Sequence, residues 1–89
     1  MPLEVWKYPI DMKDFHLIDM PLGAQILCFQ FQKEVPTIWA LVNPSKDIEK
    51  VARRFRFAGT GHTIDETGLQ YIGTIQMLNG NLVYHLFEY

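Results

Sequence analysis

Proline and glycine cut this chain into short runs, and within several of those runs apolar and polar residues alternate with a period of two. Runs this short favour strands, because a helix below roughly 12 residues has little stability of its own. Val5–Tyr8 stops at Pro9, and Phe15–Ile18 follows a polar turn over 11–14. The turn Met20-Pro21-Leu22-Gly23 leads into a strand over 24–32. There Leu27, Phe29 and Phe31 are expected on one face, and Ile26 and Cys28 begin the other, which turns polar at Gln30 and Gln32. Lys33-Glu34-Val35-Pro36 reads as a hairpin turn, with the return strand over Thr37–Val42 and a stop at Asn43-Pro44. In Arg53–Ala58, Phe55 and Phe57 point one way and Arg54 and Arg56 the other. Tyr71–Leu78 and Leu82–Phe87 are joined around Asn79-Gly80, a pair suited to the positive φ angles of a type I′ hairpin. Ser45–Val51 is the one candidate helix; Ser45 can cap it, and it holds one or two turns at most.

Six or seven short strands with almost no helix predict an all-β fold, a small antiparallel barrel or sandwich with at most one short helix. A chain of 89 residues is expected to form a single β domain over 1–89. An apolar fraction of 48 % and a net charge of only −2 oppose disorder. So small a core gains from association, which makes a homo-oligomer compatible with the composition. Cys28 is the only cysteine, so no intrachain disulfide can form; it reads as buried filler in a protein of a reducing compartment. The first residues lack the basic start and apolar stretch of a signal peptide, and no run approaches the ~20 apolar residues of a membrane helix. The expectation is a cytoplasmic protein with no membrane partner.

Charge singles out one stretch. Residues 1–45 sum to −2 and 57–89 to −3, whereas 46–56 sum to +3 through Lys46, Lys50, Arg53, Arg54 and Arg56. An acidic domain with one basic segment disfavours a general nucleic-acid binder and leaves room for one small anion. The basic run ends in Gly59-Thr60-Gly61-His62, a turn whose successive N–H groups can form an anion-binding nest. With Arg54 and Arg56 beside it, a phosphate or carboxylate could be held bidentately. The ligand-binding candidates are therefore Arg54, Arg56, Gly59, Thr60, Gly61 and His62, against the simpler reading of a glycine turn and two solvated arginines. The turn is not a P-loop, since it lacks the Gly-Lys-Ser/Thr ending, and it is not a dinucleotide fingerprint.

Other chemistry is poorly supported. His16, His62 and His85 stand at no metal-motif spacing, so no metal is expected, and His85 reads as a hydrogen-bonded sheet histidine. Asp65 and Glu66 are adjacent, point apart on an extended backbone and read as a solvated turn. No catalytic triad and no cofactor motif is recognisable, so neither an enzyme nor a cofactor is expected. Most of the twelve aromatic residues are needed for the core, and Tyr84–Tyr89 is a candidate uncovered strand edge for pairing with a second subunit or a partner.

The pattern Phe57-Ala58-Gly59-Thr60-Gly61-His62-Thr63-Ile64, then Tyr71-Ile72-Gly73-Thr74-Ile75-Gln76, then Val83-Tyr84-His85-Leu86-Phe87-Glu88 resembles a family of small phage and prophage proteins with no secure activity. The likeness covers residues 5–88. It implies a phage accessory role in the host cell, counter-defence included, and no catalytic residues. The resulting expectation is a non-enzymatic binding protein that captures an anionic, nucleotide-like ligand or docks on a host protein. The alternatives are a structural or assembly protein acting through a strand edge, and a nucleic-acid-binding domain carried by Lys46–Arg56.

Overall fold

In the computed structural model, which describes residues 2–89, the apolar runs form seven strands. These are β1 (Glu4–Pro9), β2 (Phe15–Pro21), β3 (Gln25–Gln32), β4 (Val35–Val42), β5 (Lys50–Gly59), β6 (Gln70–Met77) and β7 (Leu82–Glu88). All the pairings are antiparallel. One sheet has the order β1-β4-β3 and the other β2-β5-β7-β6. The two pack face to face as a sandwich, matching the expected all-β architecture. Each strand has one core-facing set of side chains, and neither sheet could shield its own. Phe55, Met20, Ile38, Leu86 and Val42 are fully enclosed between them. Each such side chain contributes roughly 1.5–3 kcal/mol. Phe57 stacks on Tyr84 with centroids 4.9 Å apart and meets Phe29 edge-on at 6.1 Å, joining the two layers.

Local departures from the sequence reading have identifiable causes. A β-bulge between Ile26 and Cys28 shifts the register against β4. Ile26 and Phe29, an odd number of residues apart, thereby both reach the core, and Leu27 turns outward, 45 % exposed. Leu27, Phe29 and Phe31 therefore do not share a face. The β3–β4 turn is shorter than expected. Lys33 and Glu34 alone form it, at φ +48° and +68°, and Pro36 lies buried inside β4 opposite Phe31. Ser45–Val51 makes no α-helix: one turn closes through Ile48 N–H to the Ser45 carbonyl, and β5 already starts at Lys50. At the β6–β7 turn Leu78 joins Asn79 and Gly80 at positive φ, so the connection is a left-handed turn over Leu78–Gly80 closed by Asn81 N–H to the Leu78 carbonyl at 3.1 Å. Finally, β7 lies between β5 and β6, so Tyr84–Tyr89 is not the uncovered edge expected of it. The free edges belong to β1, β3, β2 and β6.

The order β5-β7-β6 has a topological consequence. Because β7 is antiparallel to both neighbours, β5 and β6 run the same way, and residues 60–69 must carry the chain back across the sheet. On its far side β6 approaches β3 of the other sheet. A Cβ on Gly73 would stand 3.2 Å from the Phe29 Cβ and 3.5 Å from its carbonyl oxygen, so glycine permits the contact. We expect Gly73→Val to force β6 off β3 and cost about 1–3 kcal/mol, the usual range for overpacking. A urea titration comparing midpoint and slope with the parent chain checks this.

Candidate functional site

The three arginines of β5 are adjacent in sequence and come to three different ends. Arg53 is in phase with Phe55 and Phe57 and points between the sheets. Its Nε and Nη2 donate to the two Glu88 carboxylate oxygens at 2.6 and 2.8 Å, and its Nη1 donates to the Ala24 carbonyl at the start of β3. One side chain thus ties both layers together. Hydrogen bonding to Glu88 raises the Arg53 guanidinium above its ordinary value against the opposing effect of burial, with the charge of Glu88 and the Tyr8 phenol adding to the rise. Burial pushes the Tyr8 phenol up from its usual 10.0, while the positive charge of Arg53 pulls the other way. The Tyr8 hydroxyl is buried and has no hydrogen-bond partner among the described residues.

Arg56 is on the opposite, outer face, yet it is only 6 % exposed. The returning 60–69 segment covers it. Arg56 Nε donates to Glu66 Oε1 at 2.6 Å, Nη1 to the Phe57 carbonyl at 2.8 Å and Nη2 to the Thr63 carbonyl at 3.0 Å. The Phe15 ring lies 4.8 Å from its guanidinium carbon. These contacts commit the guanidinium to holding the crossover in place. Arg54 alone remains open to solvent. Its guanidinium sits 4.7 Å from the Tyr89 ring centroid and donates one long bond, 3.3 Å, to the Tyr89 main-chain oxygen. Among the described residues no Asp or Glu side chain pairs with it. Leu17 is its cross-strand neighbour, and Phe15, 53 % exposed, lies two residues away on the same face.

The glycine turn is tightly self-bonded. Gly59 N–H donates to His62 Nδ1 at 3.3 Å, Thr60 N–H to the Val83 carbonyl at 3.0 Å and His62 N–H to the Gly59 carbonyl at 3.0 Å. A methyl on Gly59 would come within 2.8 Å of the His62 ring, so a smaller residue suits that fold-back. Gly61 turns at φ +88°. Three of the four N–H groups that a nest would use are therefore spoken for. Thr60 joins a different group: its Oγ1 lies 2.8 Å from His85 Nε2, His85 Nδ1 lies 2.9 Å from Thr74 Oγ1, and Thr74 Oγ1 lies 2.6 Å from the Tyr71 hydroxyl. This chain of three hydroxyls and an imidazole runs across the outer face of β5, β7 and β6. Both His85 ring nitrogens thus face threonine hydroxyls, and the chain presents exchangeable hydrogen-bond groups on this face.

Sequence reasoning grouped Arg54 and Arg56 with Gly59–His62. The structure gives Arg54 an aromatic neighbourhood, Arg56 a buried clamp and the turn an internal role beside His85. The reading missed Glu66 and Glu88 as partners, and Tyr71 and Thr74 as companions of His85. One usable signal was the phase of Arg53, which places it with Phe55 and Phe57 on the core side, where an arginine needs a carboxylate. Among the described residues no three His, Cys, Asp or Glu side chains converge as a metal site requires, and no helix is long and apolar enough to cross a membrane.

The chain belongs to a family described as a domain of unknown function (DUF7352), whose model matches residues 1–89. No curated protein and no solved structure matches it.

Two predictions separate structural from free groups. Arg56→Met leaves Glu66 and two carbonyls without their donor and should cost about 2–4 kcal/mol, whereas Arg54→Ala should change stability by less than about 0.5 kcal/mol; chemical denaturation distinguishes them. Tyr8→Phe removes a buried, unpartnered hydroxyl and should leave stability at neutral pH unchanged or slightly raised. Because the folded state keeps this phenol protonated to higher pH, its contribution is fully present below about pH 10 and is lost as pH rises through the folded value. Denaturation midpoints measured up the alkaline limb should fall more steeply for the parent than for the Phe variant.

Proposed function

We propose that this domain is a small binding protein without catalytic turnover, which takes an anionic, nucleotide-like ligand at Arg54 on the outer face of the four-stranded sheet. The observation that carries this reading is the contrast among the β5 arginines. Arg53 and Arg56 are consumed by Glu88 and Glu66, while Arg54 is exposed, has no Asp or Glu partner among the described residues and lies over the Tyr89 ring. An arginine held against an aromatic ring is a phosphate or carboxylate donor whose position is partly set in advance. Phe15 and Tyr89 supply faces on which a planar base can stack, a contact worth about 1–3 kcal/mol per base. Sequestration needs affinity alone, which suits a surface with hydrogen-bond groups. The likeness to phage and prophage proteins supplies the setting: capture of a nucleotide-type signal in an infected cell, as a counter-defence device, is the role we assign to it.

The test is native mass spectrometry of the protein purified from infected cells, before and after denaturation, followed by calorimetric titration of the recovered compound. A small anionic mass lost on denaturation is expected. Arg54→Ala should weaken its binding by about 10- to 100-fold, the size of one charge-assisted hydrogen bond. Unchanged affinity in Arg54→Ala with loss in His62→Ala would move the site to the glycine turn and defeat this assignment. A protein-sized partner mass would make the domain a docking module instead.

A further inference from the structure

The two edge strands β3 and β6 belong to different sheets, and they run side by side in the same direction. Ala24–Leu27 faces Gln70–Ile72 across one cleft, Gly73 abuts Phe29, and Phe31 faces Gln76–Leu78 across a second. The seam is pinched at Gly73 and opens towards the two hairpin turns into a cavity of about 450 Å³ lined by Phe31, Glu34, Gln76, Met77 and Leu78. That volume falls within the range of ligand sites.

Three features of this cavity point to one kind of occupant. Its walls are apolar apart from Gln76 and Glu34, and Glu34 is its only charge. Among the described residues Glu34 has no ion-pair partner. Lys33 does not neutralise it from inside, since Lys33 lines a separate depression with Lys7, Gln32 and Val35. Nothing from the β6–β7 side can, since residues 57–89 contain no lysine or arginine. The chain also concentrates its backbone strain here. Lys33, Glu34, Leu78 and Asn79 are the only non-glycine residues with positive φ among those described, and they form the two turns flanking the cavity. Strain retained at one place points to a use for the side chains it aims, here Glu34 and Leu78. Lastly, both walls are edge strands, whose outer N–H and C=O groups face no further strand of their own sheet.

We propose that this end of the seam docks an extended peptide segment of a partner protein, presenting an apolar side chain next to a lysine or arginine. The apolar side chain enters between Phe31, Met77 and Leu78, and the cation pairs with Glu34. The peptide backbone bonds to the free strand edge, the strand-addition mode of recognition. The pinch at Gly73 limits the segment to a few residues, because only about 13 Å of β6 edge lies between Gly73 and Met77. This site is at the hairpin end of the molecule and is independent of Arg54.

The test uses the full chain, ¹⁵N-labelled, with the blocked peptide Thr-Val-Leu-Arg-Val-Thr as probe. Amide shifts confined to 31–35 and 75–80 are expected at about millimolar peptide, with a dissociation constant weakened at least tenfold when the peptide arginine is replaced by glutamate or its leucine by alanine. Glu34→Gln should weaken the parent peptide several-fold without moving the melting temperature. Leu78→Gly relaxes the left-handed backbone, so it should hold or raise the melting temperature and still lose binding. Absence of localised shifts, equal binding of the glutamate peptide, or equal binding of free arginine amide would each overturn the proposal. Binding that survives in both Glu34→Gln and Leu78→Gly would do the same.

Discussion

The buried guanidinium of Arg56 holds the connection on which the rest of the larger sheet depends. To place β7 between two strands that run the same way, the chain must return across an open sheet face through ten residues without regular structure. A segment laid over a sheet brings main-chain carbonyls into partial burial, where each needs a donor. Arg56 supplies donors to the Phe57 and Thr63 carbonyls and to Glu66 at once. With the crossover fixed, β6 reaches its position beside β7. Gly73 then meets Phe29, and Tyr71 and Thr74 line up with His85. The seam and the hydroxyl–imidazole chain both follow from that placement.

Arg53 does the corresponding work between the layers. Its bidentate pair with Glu88 and its bond to the Ala24 carbonyl span from the last strand of one sheet to the residue just before β3 in the other. A partly buried pair of this kind recovers little net free energy after desolvation. Removing one member is nonetheless costly, because the other is left stranded. Such pairs therefore act on register: they penalise any alternative in which β5, β7 and β3 meet differently. Two of the three arginines of the basic run are thereby withdrawn from the surface. The positive field that composition suggests over 46–56 shrinks at the sheet face to Arg54, and Lys50 turns to the Trp6 ring of the other sheet.

The two sites proposed lie apart and differ in character. Arg54 with its rings is a small cationic platform on a regular sheet, positioned by strand geometry alone. The cavity at the end of the seam is acidic and apolar, and its shape is set by two strained turns and by the failure of β3 and β6 to pair. A small domain with one surface of each sign can engage two unlike partners, since neither surface competes with the other for charge.

How far the sequence could be read depended on the range of the interaction concerned. The approximate strand positions, the all-β class, the Phe55/Phe57 core face and the location of turns near 33–34 and 79–80, though not their exact length, follow from period-two alternation and turn chemistry, which act within a few residues. The bulge that sends Leu27 outward was not legible, because it is chosen by how Ile26 and Phe29 fit against the opposite sheet. The partners of the arginines were not legible either: Glu66 lies ten residues from Arg56, and Glu88 lies 35 from Arg53. The edge expected at Tyr84–Tyr89 failed for the same reason, since strand order is decided by the return of β6 and not by the residues of β7. By itself the sequence determined which segments are strands and which faces are apolar, because backbone sterics and side-chain alternation are local. Only the tertiary structure decided which charges are buried, which edges stay free and which arginine faces solvent, because those depend on what the fold brings up against each residue from elsewhere in the chain.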